Sequence, residues 1–271
     1  MSSAAILPFF VFLAVGVFEH LATWRVPRSG LGSRWIVNLS LVGTNWVLPH
    51  FILPAGVVGA ALYSNKAHLG LFTWLNLQNW VGVILGILLL DALAYFLHRL
   101  SHDVHVLWRL HAVHHADLDV DATTSFRHHP LEVVVNVCLL ASCVAILGIP
   151  VMAVVIYQQI SILTDIGQHG NVCLPRYANR LLGYFLITPA VHRVHHSREM
   201  IESNRNYGSV CVCWDKLFGT YQPFHHAVAK DVHFGLDAFA GARGLALWRV
   251  LAIPFLIRRT DSPDQLAMPN H

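Results

Sequence analysis

The chain has little charge. Only 12% of its 271 residues are Asp, Glu, Lys or Arg, whereas a soluble domain usually contains about 25%. Hydrophobic residues make up 55% of the chain, and its mean hydropathy is +0.52. The formal net charge is +3 and the basic residues are scattered, so no nucleic-acid partner is expected. This composition indicates an integral membrane protein.

Several common signatures are absent from the sequence. The five cysteines include no CxxC pair, and free thiols are expected. The zinc-protease motif HExxH is missing, because Arg99 and Arg193 occupy the second positions of the candidate motifs. The sequence contains no GxGxxG nicotinamide or flavin fingerprint and no cytochrome b5-like or ferredoxin-like domain. Any redox chemistry is therefore expected to draw electrons from a separate partner.

Long apolar segments are the first feature that is present. A helix needs about 20 apolar residues to cross a bilayer, and residues 6–24, 35–63 and 71–97 reach this length. The first segment lacks the basic start and small-residue cleavage site of a signal peptide, so we expect it to be retained. The second is expected to bend or break near Pro49 and Pro54.

Two further apolar segments do not fit a single crossing. Residues 131–163 are too long for one straight span and contain Gly148-Ile149-Pro150 in their middle. We predict a helical hairpin there, either re-entrant or a pair of short spans. Residues 246–257 are too short to span and are expected to lie at the membrane interface. The predicted fold is an all-α, multi-pass membrane bundle with about three full spans plus the hairpin.

Loop charge orients this bundle. Arg25, Arg28 and Arg34 follow the first span, whereas the next connection contains one lysine. Because basic loops stay in the cytoplasm, three spans bring residue 98 to the cytoplasmic side, and the hairpin keeps residues 164–271 there. We therefore expect a cytoplasmic, histidine-rich helical cap on the inner membrane of a bacterium or the endoplasmic reticulum of a eukaryote.

Histidine is present in excess, with 19 copies. The motif HxxHH occurs at 111–115 and 192–196, and HxxxH occurs at 98–102. Residues three and four positions apart share a helix face, and Thr188-Pro189 matches an N-cap followed by proline at the start of a helix. Clustered imidazoles cannot all be protonated, and neutral imidazole is the commonest metal ligand. The spacing therefore predicts a metal site.

The candidate ligands are too numerous for one metal ion. Imidazole sites suit Zn, Cu, Fe or Ni, but a tetrahedral zinc takes four ligands and a b-type haem takes two axial histidines. Two metals with open positions fit better, and two redox metals beside lipid suggest oxygen chemistry on a lipid C–H bond. The nine candidates are His98, His102, His111, His114, His115, His169, His192, His195 and His196.

The order HxxxH, HxxHH and a later HxxHH resembles the fatty acid hydroxylase superfamily, closest to its bacterial-type sterol desaturase proteins. "TTSFRHHPLE" (123–132), "QHGNVCLPRYANRLLGYFLITPAVHRVHHS" (168–197) and "NRNYGSVCVCWDKLFGTY" (204–221) carry the resemblance, which covers about residues 85–225. It implies a membrane-bound, non-haem enzyme with two Fe ions and O2 as cosubstrate, which hydroxylates or desaturates a sterol, fatty acyl or ether lipid. It also implies an external electron donor of ferredoxin or cytochrome type with its reductase. Zinc can replace iron in recombinant protein.

The resemblance leaves two roles open. Asp165, in "DIGQH", stands where family members often have the first histidine of an HxxxH pair, and its carboxylate either ligates iron or orients an imidazole. His129, in "RHHP", matches the family's usual histidine, and it either ligates metal or caps or lines the site. Four other aspartates are candidate acceptors for ligand N–H groups. They are Asp103, Asp117, Asp119 and Asp215.

Asp91 lies inside the third predicted span, where a charge is costly and usually functional. It precedes His98 by seven residues, so we expect it on the same helix face, pointing into the site. Asp91 and Asp165 are the candidate catalytic carboxylates.

The chain is expected to contain N-terminal transmembrane helices (1–84), a catalytic domain (85–225) and a C-terminal interfacial helix with a tail (226–271). The alternative function is a membrane metal-binding or metal-transport protein without oxidative catalysis. A transporter would need acidic or histidine residues along its spans, and these are few here.

Overall fold

The computed structural model describes residues 3–28, 31–53, 55–224, 232–239 and 246–258. Within these ranges the chain is helical, with isolated β-bridges but no strand. The prediction of an all-α bundle is confirmed.

The described residues contain three candidate membrane spans by length and composition. They are Gly32–Trp74, which contains more than one helix, Trp80–Asp103 and Pro130–Leu147, and they agree with a multi-pass membrane protein. Helix α1 (Ser3–Leu21) is also apolar, but its stretch Ile6–Leu21 is shorter than the roughly 20 residues of a full crossing. The three qualifying stretches therefore differ from the three predicted segments, although their number agrees.

The second predicted segment is broken, as its prolines indicated. Helix α2 (Leu31–Ile52) ends just before Pro54, and α3 (Gly56–Lys66) begins just after it. Pro49 lies inside α2, so the helix continues past the first of the two prolines. Pro54 itself lies outside the described residues.

The third predicted segment is two elements rather than one. Leu71–Trp74 forms a separate turn, α4. Asn76 then adopts a φ of +54°, and the side chain of Asn79 accepts from two backbone N–H groups (3.0 and 3.2 Å) at the start of α5 (Trp80–Asp103). A helix of 24 residues is about 36 Å long, so α5 exceeds the roughly 30 Å hydrocarbon core.

The predicted hairpin is present. Helix α7 (Pro130–Leu147) is followed by Gly148, whose φ is +68°, and by α8 (Val151–His169). A left-handed residue is most easily glycine, and Pro150 prevents the first helix from continuing. Helix α7 packs against α3 and α8 packs against α5, so the apolar helices support α8, the helix that ends in His169.

The described residues also form shorter helices. They are α6 (His105–His115), the 3-10 turns Ala122–Phe126 and Asp237–Phe239, α9 (Arg176–Leu182), α10 (Pro189–His195), α11 (Met200–Ser203), α12 (Cys213–Leu217) and α13 (Leu247–Leu256). Helix α13 buries Val250 and Ile253 against α6 and exposes Trp248 and Phe255. Such a two-faced helix suits a membrane interface, and its location there stays a prediction.

Candidate metal centre

The structure brings the nine predicted histidines together in two groups. Within each group the ligand atoms lie within 4.8 Å of one another. The five-histidine group contains His98, His102, His111, His115 and His195. The four-histidine group contains His114, His169, His192 and His196.

Each HxxHH motif contributes to both groups. In α6, His111 and His115 join the five-histidine group and His114 joins the four-histidine group. The motif of α10 divides in the opposite way, with its middle histidine in the five-histidine group. On a helix, the side chain four positions after a residue is rotated slightly to one side of it. The side chain three positions after it is rotated to the opposite side. The motif spacing therefore makes the two groups neighbours.

Helix α10 begins as its sequence predicted. The side chain of Thr188 accepts from the backbone N–H of Val191 (3.4 Å), and Pro189 occupies the first turn. This N-cap fixes where the helix starts. It therefore fixes the directions in which its three histidines project.

Hydrogen bonds at Nδ1 orient four of the five imidazoles of the five-histidine group. The pairs are His98 with the Tyr207 carbonyl (2.9 Å), His195 with the Arg205 carbonyl (2.8 Å), His102 with Asn204 Oδ1 (3.2 Å) and His111 with Glu132 Oε1 (2.7 Å). These oxygens only accept, so Nδ1 carries the proton and Nε2 carries the lone pair. In all five histidines Nε2 is buried without a hydrogen-bond partner. Unsatisfied buried acceptors need an explanation, and a metal ion supplies one.

The four-histidine group is closely packed. His169 Nε2 lies 3.1 Å from Nε2 of His114, 3.1 Å from that of His196 and 3.0 Å from that of His192. His169 Nδ1 donates to the carbonyl of Asp165 (2.8 Å), so its Nε2 has no proton to share among three neighbours. Metal–nitrogen bonds of about 2.0–2.1 Å place adjacent ligands of a tetrahedral ion about 3.3–3.4 Å apart. The spacing fits one transition-metal ion.

The pKa values of the histidines favour ligation. Burial, followed by repulsion from neighbouring imidazoles, lowers the pKa of His114, His115, His192, His195 and His196 well below the usual range. These side chains are therefore neutral at pH 7, and neutral imidazole is the form that binds metal. The lone pairs of these five histidines are therefore available to a metal ion.

Asp165 lies on the outer side of the His169 ring. Its Oδ1 is 3.4 Å from His169 Nδ1 and accepts from Gln168 Nε2 (3.1 Å). The carboxylate thus faces the nitrogen opposite the one that converges on the other histidines. Of the two roles left open for Asp165, this geometry favours orienting an imidazole.

His129 lies outside both groups. Its Nδ1 accepts from the backbone N–H of Leu131 (3.2 Å), so the ring caps α7, in which Pro130 is the first residue. The capping alternative describes this position, and the ligand role receives no support from the geometry. The preceding residue approaches the centre instead, because the ring of His128 stacks on that of His114 at 4.6 Å.

Asp91 also lies outside both groups, unlike the sequence-based expectation. Its Oδ1 accepts from the backbone N–H of Val210 (3.1 Å), and its Oδ2 accepts from that of Cys211 (3.0 Å) and from Trp214 Nε1 (2.9 Å). The carboxylate can be buried because these three N–H groups donate hydrogen bonds to it. The structure therefore makes Asp91 a link between α5 and the chain around α12.

The other candidate aspartates are also engaged away from the histidine rings. Asp103 pairs with Arg99, Asp117 with Arg34, Asp119 with Arg25, and Asp215 accepts from the backbone N–H groups of Tyr207 and Gly208. Asp215 still contributes indirectly, because it holds the residue whose carbonyl orients His98.

Some residues that support the centre were missed in the sequence. Glu132 contacts both His111 and His128, and it is the only acidic residue in the apolar run 131–163. A single acidic residue in an apolar run, four positions after His128, was the feature of the sequence that could have indicated a supporting role for Glu132. The carbonyls of Arg205 and Tyr207 could not have been identified from the sequence, because every residue has a backbone carbonyl.

Comparison with known proteins identifies the family. Residues 83–220, which include all nine histidines, match the model of the fatty acid hydroxylase family. Human alkylglycerol monooxygenase is 30% identical over 168 residues, or 61% of this chain and 36% of that protein. The ornithine lipid hydroxylase OlsE of Rhizobium tropici is 31% identical over 139 residues, or 51% of this chain and 41% of that protein.

The chain thus covers less than half the length of these two relatives. No solved structure shows a significant match to it. The family model nevertheless covers about half of the chain and contains the complete candidate centre. The protein belongs to the fatty acid hydroxylase family.

Proposed function

We propose that the protein is a membrane-bound, O2-dependent oxidoreductase that uses two iron ions to hydroxylate or desaturate a C–H bond of a lipid. The observation that carries this proposal is the pair of histidine groups, in which nine imidazoles converge within a largely apolar chain. The names of the two relatives, a monooxygenase and a lipid hydroxylase, support lipid oxidation.

The five-histidine group would hold one iron ion and the four-histidine group the other. When bound, the two ions supply O2 activation and the removal of hydrogen from an unactivated C–H bond. The chain's own residues hold and orient the ligands. The Nδ1 hydrogen bonds prevent the imidazoles from rotating, and Asp165 and Glu132 do the same from outside the two groups.

Burial of the histidines serves the same reaction. Eight of the nine are buried, and His98 is partly buried. Exclusion of water protects reactive intermediates from side reactions. No acidic side chain lies within either group, so the described part of the chain positions ligands and substrate rather than moving protons at the centre.

The setting of the enzyme is part of the proposal. The catalytic domain spans residues 85–225, between the N-terminal transmembrane helices (1–84) and a C-terminal interfacial segment (226–271). Its active site faces the cytoplasm. An external donor of ferredoxin or cytochrome type, with its reductase, supplies the electrons.

Lipid profiling tests the proposed reaction. Membrane lipids of a strain lacking the protein are compared by mass spectrometry with those of the same strain complemented by wild type or by His195→Ala. Wild type should produce a lipid that gains one oxygen atom or loses two hydrogen atoms, and His195→Ala should not. If the wild-type profile equals that of the deletion strain while the purified protein holds metal, the metal-binding alternative is supported and oxidation is rejected.

A further inference from the structure

Residues 204–207, here called the acceptor segment, orient three of the five imidazoles in the five-histidine group. Each of the three has its Nδ1 within hydrogen-bond distance of an oxygen atom in this segment. The pairs are His102 with Asn204 Oδ1 (3.2 Å), His195 with the Arg205 carbonyl (2.8 Å) and His98 with the Tyr207 carbonyl (2.9 Å). These histidines lie on two helices, α5 and α10. One short segment therefore sets the directions of ligands from two separate elements.

Asn206, inside this segment, has a left-handed backbone conformation. Its φ is +56°, a value that residues with a Cβ atom adopt rarely and that asparagine tolerates better than most. Its side chain is fully buried, with 0% exposure. A conformation of this kind persists only when the surrounding structure holds it in place, and it is found most often near functional sites.

Four hydrogen bonds hold Asn206 in this conformation. Its backbone N–H donates to the carbonyl of Thr220 (3.0 Å), and its side-chain Oδ1 accepts from the backbone N–H of Gln222 (2.8 Å). Its Nδ2 donates to the carbonyls of Val191 (3.1 Å) and Gln222 (2.9 Å). Val191 lies in the first turn of α10. The Asn206 side chain therefore ties the acceptor segment to the helix that carries His195.

The acceptor segment acts on one group of histidines. In the described part of the chain, the imidazoles that form hydrogen bonds with residues 204–207 all belong to the five-histidine group. In the four-histidine group, His169 is oriented instead by the carbonyl of Asp165 (2.8 Å). A disturbance of the acceptor segment should therefore affect one metal site much more than the other.

We propose that Asn206 is a positioning residue for the metal ion of the five-histidine group. Its left-handed backbone turns the chain between the carbonyls of Arg205 and Tyr207, and its side chain fixes this turn to α10. Asn206 acts through the acceptors that orient the rings, as partners of metal-bound histidines do. The inference rests on the proposed function, in which each histidine group holds one iron ion.

Asn206→Ala tests the proposal, because alanine lacks the side-chain hydrogen bonds and disfavours a positive φ. The iron-loaded full chain in detergent micelles is exposed to a chelator, at a concentration at which wild type keeps both ions. The affinity of the five-histidine group should fall about 10- to 100-fold, as is typical when a partner of metal ligands is lost. The variant should therefore lose about one of its two ions.

Two further variants separate this effect from a general loss of stability. Asn206→Gly keeps the turn, because glycine adopts a positive φ without penalty, and it should show the same selective loss to a smaller extent. It also carries the test if Asn206→Ala does not fold. Asn76→Ala is the matched control, since Asn76 has a φ of +54° and is exposed before α5, outside both groups. The control should keep both ions.

Double variants show which ion is lost. His102→Ala removes a ligand of the five-histidine group, and His192→Ala removes one of the four-histidine group. Asn206→Ala combined with His102→Ala should keep about one ion, as His102→Ala alone does. Combined with His192→Ala, it should keep about none. Equal losses in the two double variants overturn the proposal, and so does a variant of Asn206 that keeps both ions.

The outcomes distinguish this inference from the proposed function. Selective loss of one ion without any oxidised lipid in the profiling experiment would contradict the proposed function alone. Lipid oxidation by wild type, together with unselective or absent metal loss in the Asn206 variants, would contradict this inference alone.

Discussion

At the scale of single residues, Glu132 connects the two histidine groups. Its Oε1 is 2.7 Å from His111 Nδ1, and its Oε2 is 3.2 Å from Nδ1 of His128, which stacks on His114. His111 belongs to the five-histidine group and His114 to the four-histidine group. A carboxylate that accepts from a ligand N–H fixes the ring and increases its basicity. One side chain therefore supports imidazoles of both groups.

Glu132→Gln should weaken metal retention. The substitution keeps the shape of the side chain but removes its charge, and loss of such a partner typically costs about 10- to 100-fold in metal affinity. Competition between the iron-loaded protein and a chelator measures the change. Glu199→Gln, at an exposed glutamate, should leave the affinity unchanged. Equal affinities for Glu132→Gln and wild type would show that Glu132 does not support the ligands.

The nine clustered histidines could be predicted because spacing on a helix determines which side chains face one way. The roles of single neighbours could not. The resemblance favoured His129 over His128, whereas the helix that starts at Pro130 makes His129 its N-cap. Asp91 lies at a position in its helix that indicates a function, but it accepts from the backbone N–H groups of Val210 and Cys211 and from the Trp214 side chain, all far along the chain.

At the scale of helices and loops, α5 is tied to the chain that follows α11. Asp91 accepts from the backbone N–H groups of Val210 and Cys211, and the Tyr207 carbonyl of the same segment accepts from His98. The helix and the segment therefore hold each other at two points, one of which orients a histidine of the centre.

Asp91→Asn should destabilise the fold. The NH2 group of the new asparagine cannot accept from the buried N–H donors that surround Asp91. A lost hydrogen bond to a charged group costs about 1.5–3 kcal/mol. Thermal unfolding in detergent measures the change. Asp103→Asn is the matched control on the same helix, since Asp103 forms an exposed pair with Arg99, and such pairs contribute about 0–1 kcal/mol. Equal losses from the two variants would contradict the linking role of Asp91.

Helix boundaries were predictable where glycine and proline define them. The turn between α7 and α8 lies at Gly148-Ile149-Pro150, where a left-handed glycine and a proline both end a helix. The prediction that the third span starts at residue 71 was wrong, because residues 71–97 are apolar throughout and α5 begins only at Trp80. The turn there depends on Asn76 and on capping by Asn79, which hydropathy does not show.

At the scale of the whole molecule, the centre exists only when four helices meet. Helices α5, α6, α8 and α10 supply eight of the histidines, and His196 directly follows α10. No single helix holds more than two ligands of either group. The apolar helices therefore do more than anchor the protein, because their packing sets the distance between ligands.

The iron content per chain tests this account most directly. Wild-type protein purified after iron supplementation should hold about two iron ions, one for each histidine group. His102→Ala, in the five-histidine group, and His192→Ala, in the four-histidine group, should each lose about one ion, because each removes a ligand from one group only. His50→Ala, at an exposed histidine, should lose none. A wild type without stoichiometric metal, or two ligand variants that keep all of it, would contradict the account.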